Sequence, residues 1–204
     1  MYTGIVQGIS RLLSIIPNIG YTSICLSNEE HLFDNVQVGA SVSVDGTCLT
    51  VTSFDSNVAS FDISDRTTEI TTLKTLKVGS LMNVERSHKM MLENGGHNLY
   101  GHIDGVAEVV SIENNGGTAK LIIEVPEEAS PYFFRKCFIG LHGCSLTVDE
   151  MDEQRHLLTV NLIPETLRIT NLAQKNVGDQ LNYEIDQTTR SIVDTIKRVL
   201  TKSS

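Results

Sequence analysis

The sequence predicts an all-β fold of two tandem homologous domains, followed by one amphipathic helix. One observation is an internal repeat with a spacing of 97 residues, which is domain-sized, since solenoid repeats span about 20–50 residues. The other is an alternation of apolar and polar residues, as at 41–44, 49–52 and 158–162, which indicates half-buried antiparallel strands. About six short strands in each half indicate a small barrel or sandwich.

The repeat consists of ordered blocks. Residues 3–6 align with 100–103, and residues 44–51 align with 141–148, both at an offset of 97. A later block aligns at an offset of 99, which implies a two-residue insertion: residues 78–85 with 177–184. An Asn-Gly-Gly stretch between the halves is typical of a turn. We therefore predict an N-terminal domain over 1–95, a C-terminal domain over 96–186 and a helix over 187–204.

Helical patterns are few. Beyond Asp186, which we expect to cap a helix, apolar residues recur at helical spacing at Ile192, Ile196 and Val199. Such a helix docks on its own chain or packs against copies of itself. The run Ser-Asn-Glu-Glu at 27–30 resembles a capping box and predicts a second short helix.

Composition excludes several classes of protein. The net charge of −9 and the aromatic fraction of 5% argue against a nucleic-acid-binding surface. The four cysteines lack paired spacing, so no metal site is expected and reduced thiols in a cytoplasm fit best. We expect neither a signal peptide nor a membrane span, because the start has no basic-then-apolar pattern and no apolar run nears about 18 residues.

Several motifs resemble the riboflavin synthase family, and the resemblance covers almost the whole chain. They are residues 1–8, 46–52, 84–86, 95–97 before 101–102, 138–140 before 145–148, and 163–167. The resemblance implies two six-stranded antiparallel Greek-key barrels and a homotrimer joined partly by C-terminal helices. It also implies dismutation of two 6,7-dimethyl-8-ribityllumazine molecules to riboflavin and a pyrimidinedione, without a metal or organic cofactor. Each barrel would hold one lumazine, and the N-barrel of one subunit would face the C-barrel of another.

The two halves differ where the chemistry would differ. Ile5 of the first half corresponds to His102 of the second, and Cys48 corresponds to Ser145. One substrate donates a four-carbon unit and the other accepts it, so the two sites need unlike side chains. Holding two reactants together supplies roughly 7–11 kcal/mol, against about 3–5 kcal/mol for one acid–base group, so positioning is the larger effect.

The resemblance and the residue types together define the candidate site. Proton transfer by His102 suits a group that titrates near neutrality, and Lys136 would stabilise developing negative charge. For Cys48 a nucleophilic role and a packing role both stay open. The catalytic candidates are His102, Cys48, Ser41, Lys136, Ser145 and Thr147. The substrate-binding candidates are Gly4, Ile5, Val6, Cys48, Leu49, Thr50, Asp62, Ile63, Ser64, Thr67, Gly101, His102, Ile103, Lys136, Ser145, Leu146, Thr147, Ile163, Pro164, Glu165 and Thr166.

Some residues depart from the family pattern. Arg66 and Glu69 invert the charges of the corner that Glu165 and Arg168 form in the second half. His142 stands where the family usually has an acid. His97 is interpreted as structural or peripheral.

Two other functions compete with the enzyme. A non-catalytic lumazine- or flavin-binding protein, such as a fluorescent antenna protein, would share the barrels but lack the catalytic side chains. A barrel-based interaction module that binds oligonucleotide or protein would need a basic face with exposed aromatics, which the composition does not provide. Retention of all six catalytic candidates favours the enzyme.

Overall fold

A computed structural model describes residues 1–89, 91 and 93–202. Its strands form two closed antiparallel barrels of six strands each. The N-barrel contains β1 Gly8–Pro17, β2 Tyr21–Ser27, β3 Ser41–Val44, β4 Thr47–Phe54, β5 Val58–Ser64 and β6 Leu81–Arg86. The C-barrel contains β7 Gly105–Asn115, β8 Thr118–Glu124, β9 Phe138–Leu141, β10 Cys144–Asp152, β11 Leu157–Leu162 and β12 Gln180–Ile185. The predicted fold class is confirmed.

Strand order and register repeat between the barrels. The N-barrel order is β1-β2-β5-β4-β3-β6, and adding six to each strand number gives the cyclic order of the C-barrel. The pairing register slips between Leu12 and Ser14 in β1, and between residues 97 positions later in β7. A second slip, in β4, recurs in β10 at the same offset. Irregularities kept in both halves set the same local bends in both barrels.

Each barrel has its own apolar core, as the alternation in the strands predicts. In β5, Ala59, Phe61 and Ile63 point inward, and the residues between them are more exposed. The C-barrel core is built from the matching strands. One member of that core, Val6, comes from the N-terminal half of the chain.

Two short helices follow equivalent strands. Helix α1 spans Asp65–Ile70 after β5, and α2 spans Pro164–Ile169 after β11. Each is followed by a 3-10 turn, at Thr72–Thr75 and Asn171–Gln174 respectively. Neither helix was predicted, because six residues are too few to display a helical period.

The helix predicted after residues 27–30 is wrong, because the chain forms turns there. The side chain of Asn28 accepts the Phe33 backbone N–H at 2.8 Å. His31 and Asn35 have φ of 56°, a left-handed conformation that ends a helix. The polar side chain therefore organises a loop in place of a first helical turn.

The C-terminal helix α3 spans Gln187–Lys202. As predicted, Asp186 caps it, because its Oδ1 accepts the Thr189 backbone N–H at 2.8 Å. Within the described residues, no helix combines the length and apolar character needed to span a membrane.

Polar contacts hold α3 on the C-barrel. Arg190 pairs with Asp104, Tyr132 donates to Asp194, and the Lys197 ammonium lies 4.4 Å from the Tyr132 ring centre. Four apolar residues of α3 are exposed by more than half: Ile192, Ile196, Val199 and Leu200.

Candidate functional site

Each half of the chain begins with a segment that crosses to the other barrel. We call residues 1–7 and 98–104 the leading segments. The Gly4 carbonyl accepts the Ser145 N–H at 2.8 Å, and the Gly101 carbonyl accepts the Cys48 N–H at 3.0 Å. These two contacts are related by the offset of 97, so they are equivalent under a pseudo-two-fold axis. Each barrel is therefore completed by residues from the other half.

Close approach at these crossings requires glycine. Gly4 and Gly101 have φ of +71° and +73°, which side chains rarely adopt. A Cβ on Gly4 would lie 2.5 Å from Ser145 Cβ, and one on Gly101 would lie 2.5 Å from Cys48 Cβ. Both glycines are substrate-binding candidates of the sequence. The structure gives them a further role, the close approach to a strand of the opposite barrel.

Buried carboxylates hold the leading segments in place. Glu85 accepts the backbone N–H of Thr3 at 2.6 Å and of Gly4 at 3.0 Å. Glu184, its equivalent, accepts those of Tyr100 and Gly101 at 2.7 and 2.9 Å. Burial raises the pKa of both carboxyls, and the N–H donors act against that shift. Both glutamates end the third repeat block, so the repeat already contained the signal for this function.

The pseudo-axis itself passes through a buried polar cluster. Asn83 Nδ2 donates to the His142 carbonyl at 2.9 Å, and Asn182 Nδ2 donates to the Asp45 carbonyl at 2.8 Å. Asp45 and His142 are equivalent residues, and Asp45 Oδ2 lies 3.3 Å from His142 Nε2. Desolvation raises the pKa of Asp45 to about 6 and lowers that of His142 well below its usual range. His142, which stands where the family usually has an acid, thus faces an acid from the other barrel.

The N-site is the group of predicted residues on the N-barrel beside the second leading segment. Cys48 in β4 adjoins Gly101, which is followed by the exposed His102. Ser41 in β3 pairs with Thr50 in β4. The structure therefore brings Cys48 close to the segment that carries His102.

Tyr2 is a member of the N-site that sequence reasoning missed. Its side chain is 1% exposed, and its hydroxyl donates to Cys48 Sγ at 3.1 Å and also contacts Ser41. Burial, followed by the hydrogen bond to Cys48, raises the pKa of Tyr2 well above its usual range. The hydroxyl therefore stays protonated at neutral pH and acts as a donor. A single tyrosine near the start of a chain has no pattern that would reveal this role.

The remaining N-site candidates divide into surface and core residues. Asp62 accepts a hydrogen bond from the Ser23 hydroxyl at 2.6 Å. Ser64 caps α1, and its Oγ lies 2.9 Å from Thr67 Oγ1. In contrast, Leu49 and Ile63 lie in the barrel core, and Ile103 is buried against Gly46.

The C-site is the equivalent group on the C-barrel. Ser145 and Thr147 lie in β10, half-buried and exposed respectively, and Leu146 between them packs on the core. Gly4 contacts Ser145, Ile5 is 45% exposed, and Val6 enters the C-barrel core.

Lys136 lies before β9 with its side chain 69% exposed and its Nζ 3.9 Å from Asp149 Oδ1. Its φ is +73°, and the equivalent residue in the N-half is Gly39. The Lys136 N–H donates to the Val148 carbonyl, and the Gly39 N–H donates to the carbonyl of the equivalent Val51, both at 2.8 Å. The lysine therefore holds a conformation that the other half gives to glycine.

The corner after β11 begins with Ile163, which is 59% exposed, and continues with Pro164 and Thr166 in the first turn of α2. Glu165 and Arg168 form two hydrogen bonds, at 2.6 and 2.8 Å. In α1, the equivalent Arg66 and Glu69 lie 3.6 Å apart, so the inverted charges still form an ion pair. The order in α2 favours the helix dipole, and the order in α1 opposes it.

His97 is far less peripheral than expected. It is 8% exposed, and its Nδ1 lies 2.6 Å from Ser145 Oγ. Its ring stacks on Phe138, with centroids 4.9 Å apart and an angle of 12°. A lone histidine after two glycines carries no spacing pattern, so sequence reasoning had little basis for placing it at the C-site.

Comparison with known proteins now adds to this geometry. The lumazine binding domain family matches the chain twice, over residues 3–87 and 100–186. The riboflavin synthase of Escherichia coli (strain K12) is 42% identical over 201 residues, covering 98% of this chain and 93% of that protein. That of Chlamydia muridarum is 34% identical over 198 residues, covering 97% and 96%. The chain belongs to the riboflavin synthase family.

Solved structures similar to this family member include the protein LumP. LumP complexed with 6,7-dimethyl-8-(1'-D-ribityl) lumazine superposes with a TM-score of 0.82 at 27% identity. LumP complexed with riboflavin superposes with a TM-score of 0.83 at 29% identity. In both cases the match covers 92% of this chain and all of the LumP chain.

Proposed function

We propose that the protein is a riboflavin synthase that converts two molecules of 6,7-dimethyl-8-ribityllumazine to riboflavin and 5-amino-6-ribitylamino-pyrimidinedione by four-carbon transfer, without a cofactor. The observation that supports this most is the reciprocal construction of the N-site and C-site. Two similar sites suit two copies of one substrate. Unlike residues at equivalent positions, Cys48 against Ser145 and Ile5 against His102, suit a donor and an acceptor.

The proposal assigns roles to the named side chains. His102 moves a proton at the acidic 7-methyl group, and Ser145 and Thr147 hydrogen-bond the ring and share in proton transfer. Lys136 stabilises negative charge that develops on the ring. Cys48 acts either as a nucleophile or as a contact, with Tyr2 donating to its sulfur in both cases. Alignment of the two rings supplies most of the rate enhancement.

We further propose that the active form is a homotrimer. Helix α3 binds the C-barrel through polar contacts and presents its apolar stripe outward. Burying such a stripe against copies of itself is favourable by about 25 cal/mol per Å² of apolar surface. Trimer formation would bring the N-site of one subunit opposite the C-site of its neighbour.

A non-catalytic lumazine- or flavin-binding protein is the second candidate. The superposition with LumP and its bound ligands favours it, as do the inverted charges of Arg66 and Glu69. The two candidates differ in stoichiometry. A synthase consumes two lumazines for each riboflavin formed, whereas an antenna protein binds the chromophore unchanged.

The deciding experiment mixes the purified chain with 6,7-dimethyl-8-ribityllumazine and follows both chromophores by absorbance and liquid chromatography. Appearance of riboflavin with a two-to-one loss of lumazine supports the synthase. Tight binding without turnover supports the antenna. The variant Cys48→Ala serves as an internal comparison, because loss of turnover with retained lumazine binding separates chemistry from recognition.

A further inference from the structure

A cleft of about 400 Å³ lies at the pseudo-two-fold axis, where the two barrels meet. Its lining contains equivalent residues of both halves, such as Asp45 with His142 and Leu76 with Lys175. Among the described residues that line it, none is a catalytic or substrate-binding candidate. The cleft is therefore a feature of the junction between the barrels and not a part of the N-site or the C-site.

Equivalent residues make unequal contacts at this junction. On one side, Asn171 Nδ2 donates to Asp45 Oδ1 at 2.9 Å and to the Leu81 carbonyl at 2.8 Å. On the other side, the residues equivalent to Asn171 and Asp45 are Thr72 and His142. Threonine is shorter than asparagine, and neither Thr72 Oγ1 nor His142 Nε2 has a hydrogen-bond partner among the described residues. Both side chains are more than nine-tenths buried and line the cleft.

Both of these atoms can donate a hydrogen bond. His142 Nδ1 accepts the Asn182 backbone N–H at 3.2 Å. Burial lowers the pKa of His142 well below its usual range, so the ring is neutral at neutral pH and carries its proton on Nε2. That nitrogen lies 3.3 Å from Asp45 Oδ2 but outside hydrogen-bonding geometry. The Thr72 hydroxyl also has a hydrogen to donate. Buried donors without a partner are rare, so they mark sites of bound water or ligand.

Lys175 gives the cleft a positive charge. It is half-buried, and it forms no ion pair within the described part of the chain. Leu76 occupies the equivalent position of the first half, so this cation has no counterpart there. Burial raises the pKa of Asp45 to about 6, and the charge of Lys175 acts against that shift. The cleft thus combines a cation with two buried donors, a combination that suits an oxyanion.

The remaining lining selects the kind of oxyanion. The carboxylates of Asp45 and Asp179 also line the cleft, and each already accepts a backbone N–H at 2.8 Å. Two carboxylates disfavour a ligand of high negative charge. Leu76 and Leu81, both half-buried, provide apolar surface that suits a short hydrocarbon chain. A small monocarboxylate meets these conditions, because it has one negative charge, two acceptor oxygens and an apolar tail.

We propose that the cleft is a binding site for a small monocarboxylate, separate from the N-site and the C-site. The carboxylate accepts hydrogen bonds from Lys175, Thr72 and His142, and the tail packs on Leu76 and Leu81. Thr72 and both leucines belong to the first half, and His142 and Lys175 belong to the second. The ligand therefore bridges the two halves and stabilises their relative orientation, because it binds only the folded junction.

Calorimetric titration of the purified chain with butyrate tests the site. We expect saturable binding of one butyrate per chain. Butyramide, which has a similar shape but no charge, should bind at least about tenfold more weakly, because charge-assisted hydrogen bonds are lost. An isotherm without saturation would overturn the proposal. Inorganic phosphate is a further arm, and tighter binding of phosphate than of butyrate would overturn the choice of a monocarboxylate.

Two variants locate the binding in this cleft. Lys175→Leu gives the second half the residue that the first half has, and it should weaken butyrate binding by at least about tenfold. Thr72→Val keeps the shape of the side chain but removes the hydroxyl, and it should weaken binding by about threefold. Lys74→Leu is the matched control, because it removes the same charge from an exposed position in the 3-10 turn that carries Thr72. Equal losses in the two lysine variants would refute a specific contact, and so would unchanged binding in Lys175→Leu.

Urea unfolding gives a second measure of the same site. Butyrate should raise the urea midpoint of the unaltered protein and of Lys74→Leu, but not that of Lys175→Leu, and a cooperative transition shows that each variant is folded. An equal rise in all three proteins would mean that butyrate acts elsewhere.

Nuclear magnetic resonance of the His142 ring tests the assignment of the donors. The proton should be on Nε2, and its signal should shift with butyrate until the site is saturated; a neutral ring protonated at Nδ1 would refute the assignment. None of these measurements needs turnover, so the synthase proposal can fail while the site is confirmed, and the reverse.

Discussion

At the scale of single residues, Lys136 holds a conformation that is costly for it. Its φ of +73° lies in the left-handed region, where a residue with a Cβ loses about 1–2 kcal/mol. The equivalent Gly39 makes the same backbone hydrogen bond without that cost. Strain of this kind is frequent at functional sites, so we expect the Lys136 side chain to have a task at the C-site.

We expect Lys136→Gly to raise the free energy of unfolding by about 1 kcal/mol, because glycine relieves the strain. The same change should lower kcat/KM by at least tenfold, because it removes the cation from the C-site. Urea unfolding and steady-state kinetics measure the two effects. Lys136→Met keeps the strain and should lose activity without gaining stability. A stable and fully active glycine variant would show that the lysine has no role in the reaction.

Asp45 gives stability a defined dependence on pH. Its pKa is about 6 in the folded protein and 3.8 in the unfolded chain, because burial disfavours the carboxylate. The folded state therefore binds the proton more tightly, and its stability falls as pH rises from about 4 to about 6. At about 1.4 kcal/mol per pH unit, the total loss is about 3 kcal/mol. Lys175, Asn83 and Asn171 reduce this loss by favouring the charged form.

Asp45→Asn removes this titration. The difference in unfolding free energy, variant minus unaltered protein, should increase between pH 4 and 6 by up to about 3 kcal/mol. The contribution of His142 to stability increases with rising pH, because its pKa is lowered. Burial is the main cause of that shift and is the same in both proteins, so this contribution largely cancels in the difference. Denaturant unfolding at several pH values provides the measurement. Glu153→Gln, which removes an exposed charge of the same sign, is the matched control. A flat difference for Asp45→Asn itself would contradict the shifted pKa.

At the scale of elements, the leading segments determine how the barrels join. Each is fixed by a glycine against the opposite strand and by a buried glutamate on its own half. A segment held at both faces transmits a small displacement directly to the strand that carries Cys48 or Ser145. Stability and function should therefore fall together when a crossing is disturbed.

Gly101→Ala tests this coupling. The new Cβ would lie 2.5 Å from Cys48 Cβ in a left-handed conformation, so we expect a loss of about 3 kcal/mol from overpacking and strain combined. Urea unfolding measures the loss, and lumazine binding should weaken with it. Gly178→Ala is the control, because its φ of +90° is equally unfavourable but its Cβ meets open space. Equal losses in the two variants would mean that the close approach to Cys48 contributes nothing.

The same elements show what the sequence could and could not predict. The strands were predictable, because apolar and polar residues alternate along the sequence. The duplication was predictable, because the blocks of the two halves match in order at a nearly constant offset. The crossing of Gly101 to Cys48 was not, because the partner of an extended segment 53 residues away leaves no periodic trace. Residue types alone likewise gave no reason to join His97 to Ser145. The paired Glu85 and Glu184 were visible in the repeat, but their hydrogen-bond partners were not.

At the scale of the whole molecule, the two halves form one unit in which neither barrel is complete alone. The pseudo-axis runs through Asp45, His142 and the asparagines Asn83 and Asn182, all of them buried. Buried polar groups with many partners favour a single relative orientation of the barrels. The two sites are thus held on one rigid unit, and the proposed trimer would bring unlike sites of two subunits face to face.

Helix α3 is the element suited to join this chain to further copies of itself. Its polar contacts with Asp104 and Tyr132 fix its orientation on the C-barrel, so its apolar stripe points outward on every copy. The double variant Ile192→Ser, Ile196→Ser removes two side chains that are 56% and 53% exposed. Because these positions are exposed in the single chain, we expect the variant to fold as a monomer, and any loss of stability to come from the trimer contacts that are removed.

Sedimentation should show a trimer for the unaltered protein and a monomer for this double variant. Turnover should fall by at least a hundredfold, because in the proposed mechanism the two rings are aligned across subunits and effective molarity contributes most of the rate. Lumazine binding should persist, since each site is completed within one chain. Val38→Ser, at an exposed valine before β3, should leave mass and turnover unchanged. A monomeric variant with full turnover would mean that both substrates meet within a single chain, and a variant that remains trimeric would place the joint elsewhere.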